Sequence, residues 1–135
     1  MLAHMKATEH ARAVTERYCR AWMATDIEGI LAHYADDFTL HYFGNNRFSG
    51  DHVGRDAVVS TLLAISEVTP RQLVEVEEIL AAPDASVAVV RERLTVKGED
   101  HVVRRVLRFK IHGEQFTDCW LYDEEQALID RAWAT

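Results

Sequence analysis

Past Pro70 the chain leaves almost no residues for connections. Residues 72–81 (QLVEVEEILA), 86–96 (SVAVVRERLTV), 101–111 (HVVRRVLRFKI) and 116–122 (FTDCWLY) are β-branched, apolar or alternating runs. Pro83-Asp84, Gly98-Glu99 and His112-Gly113-Glu114-Gln115 separate them. Links this short join antiparallel neighbours, because a parallel crossover needs a dozen or more residues. The second half is therefore an antiparallel meander, and long strands with their natural twist curl.

The first half has a different period. Over residues 8–25, Val14, Tyr18 and Trp22 recur every fourth position and share one helix face. Asp26 caps a second helix, IEGILAHYA, with Ile27, Ile30, Leu31 and Tyr34 as its apolar side. Residues 37–43 form a strand, and the turn-rich GNNRFSGDHVG follows, with Arg47-Phe48-Ser49 as one arm of a small hairpin. A third helix spans about 55–68, with Val58, Leu62 and Ile65 on one side, and Pro70 stops it. The tail ALIDRAWA is apolar enough to pack back on the body. The opening MLAHM is assigned no structure, so residues 1–6 stand as a disordered start or a cloning remnant.

Helices first and a meander after is the order of an α+β domain. The 135 residues suit one domain with one core, spanning 1–135. Helices seated in the concave side of a curled sheet close one end and leave a cone-shaped cavity at the other. Fifteen basic residues against 22 acidic ones disfavour a phosphate backbone as partner, since that needs clustered Lys and Arg. No run is long and apolar enough to span a bilayer, and no charged-then-apolar leader precedes the first helix. Two cysteines without C-x-x-C spacing read as reduced thiols of a cytoplasmic protein. The histidines lack H-x-x-x-H or H-x-H spacing, so no metal site is expected. Ser49, Asp51 and His52 are too close in sequence to build a relay.

Alternation puts Glu92 and Arg105 on the side of Leu94, Leu107 and Phe109, taken as inward. With Gly98-Glu99 as the turn, 97 meets 100 and 92 meets 105. A buried Arg and Glu must pair or bind something. Either Arg105 grips a substrate oxyanion with Glu92 behind it, or the two form a structural ion pair. Trp22, Phe43 and Phe109 read as core or cavity wall.

RYCRAWMATDIEGILAHYADDFTLH, SGDHVGRDAV and FTDCWLYDEEQALIDRAWA, in this order, resemble the SnoaL-like and ketosteroid-isomerase-like branch of the nuclear transport factor 2-like superfamily. The resemblance covers nearly the whole chain. It implies a cone-shaped, cystatin-like α+β barrel with a curved sheet around the N-terminal helices, a cavity for a small hydrophobic molecule, no cofactor, and a homodimer packed through the sheet. It also assigns functional positions. The oxyanion-binding tyrosine of the isomerases matches Tyr18, their carboxylate base falls on Tyr42 and their protonated acid on Leu107. The aspartate that cyclases and epoxide hydrolases carry on the last strand falls on Leu121. The acid–base set is thus incomplete, and classical steroid isomerase activity is not expected. Tyr42, with a reference pKa of about 10, is a hydrogen-bonding and shaping residue rather than a base. Leu40 shares its face.

The last strand admits two registers. A two-residue Gly113-Glu114 turn turns Phe116, Asp118, Trp120 and Tyr122 inward, whereas a bulged three-residue turn ending at Gln115 turns Thr117, Cys119 and Leu121 inward. The resemblance favours the second. The implied function is a small enzyme of isomerase, cyclase, dehydratase or hydrolase type acting on a hydrophobic, cyclic, oxygenated substrate, with Tyr18, Arg105 and Glu92 as its chemical groups. A non-catalytic ligand-binding domain and a structural dimeric accessory protein are the alternatives.

Overall fold

The structure, a computed structural model, describes residues 1–134. Helix α1 (Leu2–Met23) leads into α2 (Ile27–Ala32), strand β1 (Tyr34–Tyr42), strand β2 (Gly50–Val53) and helix α3 (Arg55–Val68). The meander follows as β3 (Arg71–Ala82), β4 (Ala85–Val96), β5 (Glu99–His112) and β6 (Gln115–Asp123), and α4 (Gln126–Ala132) ends the chain. The six strands form one curved sheet in the order β2-β1-β6-β5-β4-β3. Among the described residues, only β1 and β6 pair in parallel. The sheet is unclosed, with β2 and β3 as its edges.

Each helix buries the stripe that its spacing dictates. Ala11, Val14, Thr15, Tyr18 and Cys19 of α1 are buried against β3 and β4, where the Thr15 and Ser86 hydroxyls share a hydrogen bond of 2.6 Å. The helix includes the opening residues to which the sequence assigned no structure. Helix α3 packs on β1 and β2. The C-terminal tail does return to the body: Trp133 is completely buried, its indole edge-on to Tyr42 and Phe48, and its Nε1–H donates to Thr69 Oγ1 at 2.8 Å.

Four details depart from the sequence expectations. Helix α2 is capped by Asp26, whose carboxylate accepts from Gly29 N at 3.1 Å, but it stops at Ala32 rather than running through Tyr34. Pairing with β6 takes over at that point: Phe116 N donates to His33 O at 2.7 Å, and Tyr34 begins β1. The arm of the first hairpin is Gly50–Val53, not Arg47–Ser49. Asp130 holds the preceding loop through Asn45 N and Asn46 Nδ2, and Phe48 turns into the core beside Trp133.

The β4–β5 turn is Lys97-Gly98, one residue earlier than expected, with φ of 50° and 82° as a tight hairpin turn of this kind demands. Glu92 therefore faces Val103, and Arg105 faces Val90. This displacement shifts every pair by two, which preserves the faces, so Glu92 and Arg105 remain on one side as diagonal neighbours.

The β5–β6 hairpin combines both registers. Its turn is the two-residue Gly113-Glu114, with His112 opposite Gln115 and Ile111 opposite Phe116. The register then slips, so that Lys110 faces Asp118. Thr117 is the extra residue of this bulge, and its Oγ1 is buried without a partner. Phe116 is inward before the bulge, and Cys119 and Leu121 are inward after it.

Asp118 is thereby left on the outer face, where His41 stacks on Trp120 at 4.7 Å. His41 Nδ1 lies 2.8 Å from Asp51 and Nε2 lies 2.9 Å from Asp118. A ring that donates to a carboxylate from each nitrogen is the cationic form of histidine, and this geometry favours it. Burial opposes that charge, but the bonds to Asp118 and Asp51 outweigh it and raise the His41 pKa above its ordinary 6.5. A group whose pKa rises on folding adds stability that is complete below its unfolded pKa and disappears as pH climbs through the folded one. Wild-type protein is expected to lose stability as pH rises upward from about 6.5. In His41→Asn this part of the pH slope should vanish, as urea titrations at pH 6 and 8.5 will read; an unchanged slope refutes the assignment.

Candidate functional site

Between α1, α2, α3 and the concave side of the sheet lies a cavity of about 240 Å³. Its wall is set by the two periodicities described above. Tyr18 and Trp22 come from one face of α1, Leu40 and Tyr42 from alternate positions of β1, Leu107 and Phe109 from β5, and Cys119 and Leu121 from β6. The remaining wall is aliphatic side chains of α2 and α3 together with Tyr34, Phe38, Ser66, Arg71 and Arg105. Among the described residues, no Asp, Glu or His is part of it.

Two polar clusters interrupt this wall. In the first, the hydroxyls of Tyr18 and Tyr34 are 2.7 Å apart. The Tyr18 ring also meets the rings of Phe109 and Phe116 edge-on, at 5.5 and 5.1 Å. Burial lifts the Tyr18 phenol well above its ordinary 10.0, and Tyr34 also rises, chiefly through burial. Both are therefore neutral near pH 7. The pair holds two protons and needs one for its mutual hydrogen bond, which leaves one O–H for a third group.

The second cluster is built on Arg105, which is 0% exposed. Its Nε donates to Asp123 Oδ1 at 2.6 Å, Nη1 to Glu92 Oε1 at 2.7 Å, and Nη2 to Tyr42 Oη at 2.5 Å and Asp123 Oδ2 at 3.2 Å. Burial alone would lower the pKa of the guanidinium, but Tyr42, Asp123 and Glu92 together hold it well above the ordinary value. Because the Tyr42 oxygen accepts from Arg105, its own proton is directed elsewhere. Burial raises the Tyr42 pKa against the pull of Arg105 and Arg71, so Tyr42 presents a neutral O–H on the cavity wall. Burial also holds Cys119 as a thiol, well above its ordinary 9.0.

The structure thus brings nearly all the sequence-derived residues to one place. Tyr18, Trp22, Leu40, Tyr42, Arg105, Leu107, Phe109, Cys119 and Leu121 line the cavity. Glu92 does not: it is sealed behind Arg105, with Oε2 buried and unpartnered. Phe43 requires correction. It is 41% exposed and stacks on Tyr122 at 4.9 Å, because adjacent strand residues point to opposite faces and Tyr42 already points inward. Tyr34 and Arg71 were missed. The helix assigned through Tyr34 concealed the first, whereas the second sits two positions before inward-facing Leu73, a signal that alternation does carry. Among the described residues, no three His, Cys, Asp or Glu side chains are grouped so as to hold a metal ion.

An open α+β cone with helices in its mouth and a cavity beneath them is the architecture of nuclear transport factor 2-like proteins. One such protein, from Burkholderia xenovorans LB400, superposes with a TM-score of 0.76 at 23% identity, covering 93% of this chain and 97% of that one. A putative polyketide cyclase from Xanthomonas campestris gives 0.78 at 16% identity over 95% and 99% of the two chains. TerC, co-crystallised with polyporic acid, gives 0.78 at 16% identity over 89% and 95%. At these identities the likeness is one of fold. No curated protein matches the chain. The chain belongs to the SnoaL-like domain family, whose model matches residues 15–119.

Proposed function

We propose that this SnoaL-like protein binds one hydrophobic, cyclic, oxygen-bearing small molecule in the cavity. Neutral phenols hold the ligand's oxygen, and no acid–base reaction need follow. The observation that carries this reading is the wall itself: three tyrosine hydroxyls and two arginines in an otherwise greasy surface, with no Asp, Glu or His facing the space. The positions that the family resemblance assigns to carboxylates do reach the cavity, as Tyr42, Leu107 and Leu121, but none can take a proton near pH 7. The structures titled as a putative polyketide cyclase and as TerC with polyporic acid agree with a cyclic, oxygenated ligand class.

An isomerase or cyclase is the second reading. The Tyr18–Tyr34 pair and the Tyr42 hydroxyl braced by Arg105 are pre-oriented donors of the kind that stabilises an oxyanion, with Arg105 and Glu92 as the charged groups behind them.

The aromatic ketone 2-acetonaphthone distinguishes the two. It is expected to bind saturably at one site by calorimetry, and Leu107→Trp, which fills the space, should abolish binding. Tyr18→Phe should weaken it about fivefold, the effect of one hydrogen bond worth ~1 kcal/mol. Exchange of the ketone's α-protons in deuterated buffer should be no faster with protein than without. Absence of saturable binding overturns the proposal, and accelerated exchange replaces it with the catalytic reading.

A further inference from the structure

Two arginines reach the cavity, and their surroundings differ. Arg105 is saturated by two carboxylates and a phenol. Arg71, the first residue of β3, has no Asp or Glu oxygen within ion-pair distance among the described residues; its one side-chain bond is from Nη2 to the neutral Ser66 Oγ at 3.2 Å. Its Nε is buried and has no acceptor. The strand cannot simply swing away, because Arg71 pairs with Leu94 and Pro70 O accepts from Thr95 N at 3.0 Å. The cavity wall therefore contains one uncompensated cation with an unused N–H, in a chain whose net charge is −7.

An unpaired guanidinium N–H withdrawn from water is costly, and a carboxylate is the acceptor that relieves the cost best, since the guanidinium fork matches its two oxygens. A second donor, the Tyr42 hydroxyl, lines the same cavity. The Arg71 charge acts on both Tyr34 and Tyr42, opposing the rise that burial imposes on their phenols. The Tyr42 proton, released by the bond from Arg105, is free for the same ligand.

We propose that Arg71 is the anion-recognition residue of the cavity and that its ligand is an aromatic or alicyclic carboxylic acid, bound as the carboxylate on Arg71 with the Tyr42 O–H as second donor. The rings lie against Leu107, Phe109 and Leu121. The proposal rests on the cavity being a small-molecule site and specifies which class of molecule fills it.

The test compares 2-naphthoate with 2-acetonaphthone, which has the same ring system and a neutral carbonyl end, by calorimetry at pH 7.5. Naphthoate is expected to bind at least about tenfold more tightly, the consequence of a charge-assisted hydrogen bond. Arg71→Gln should reduce that preference about tenfold, and Arg71→Lys should retain part of it through charge without the fork. Equal affinity for the two probes in the wild type, or a preference unchanged in Arg71→Gln, overturns the assignment while leaving the ligand-binding reading in place. Failure of both probes to bind overturns both. The wild-type comparison decides the matter even if Arg71→Gln does not fold.

Discussion

Arg105→Met is expected to lower the free energy of unfolding by about 3–5 kcal/mol, the usual cost of removing one partner from a buried ion cluster. Among the described residues, the guanidinium is the only positive group paired with Glu92 and Asp123, whose side chains are 0% and 1% exposed. Without it, two carboxylates remain in a core where Glu92 Oε2 already has no hydrogen-bond partner. Methionine fills much of the volume but donates nothing. Tyr42 loses its hydrogen bond from Arg105 as well, and with it the direction of its proton. The shift is read from urea denaturation midpoints. Replacing Glu92 and Asp123 with leucine in the Arg105→Met background should restore part of the loss, since the penalty comes from stranded charge rather than missing bulk. A loss below about 1 kcal/mol in the single variant would mean that the cluster is solvated, contrary to the geometry.

Trp133→Ala is expected to cost about 3–5 kcal/mol, the range for large-to-small changes in a closed core. Trp133 and Ile129 are the two completely buried residues among those described after β6. The Trp133 ring sits against Tyr42, Phe48 and the Arg105 guanidinium, and its indole N–H ties the chain end to Thr69, where α3 gives way to β3. Trp133→Phe preserves most of the ring contact and removes only the donor to Thr69, which is itself 2% exposed, so about 1–2 kcal/mol is expected. Equal losses in the two variants would show that the hydrogen bond, not the packing, anchors α4.

Hydrophobic spacing was a reliable guide wherever the periodic face was the only question. It placed Tyr18 and Trp22 on the inner side of α1, and Leu107 and Phe109 on the inner side of β5, although the assumed β4–β5 turn was one residue late. Turn errors move antiparallel pairs by two, and a side-chain period of two does not register that shift. It was least reliable where one residue changes the phase. In β6 the two candidate registers were both partly realised, because the bulge at Thr117 lets Phe116 and Cys119 share a side that strict alternation denies them. Tyr34 failed for a related reason. Its spacing from Ile27, Ile30 and Leu31 is helical, but hydrogen bonds to β6, which lies some eighty residues later, outcompete another half-turn of helix.

What a linear reading settled, then, is the α+β class, the meander, the inward faces of α1 and β5 and the absence of carboxylates at the positions where the family resemblance puts them. These follow from local periodicity, short connections and residue identity, all of which are present before the chain folds. What folding alone decided is which polar groups meet. Arg105 adds Tyr42 and Asp123, from two further strands, to the Glu92 that alternation had already put beside it, Tyr18 finds Tyr34, and Arg71 is left facing the cavity without a counter-charge among the described residues. Such encounters depend on sheet curvature and on a single bulge, which sum small distortions over many residues, and no window of sequence contains that sum.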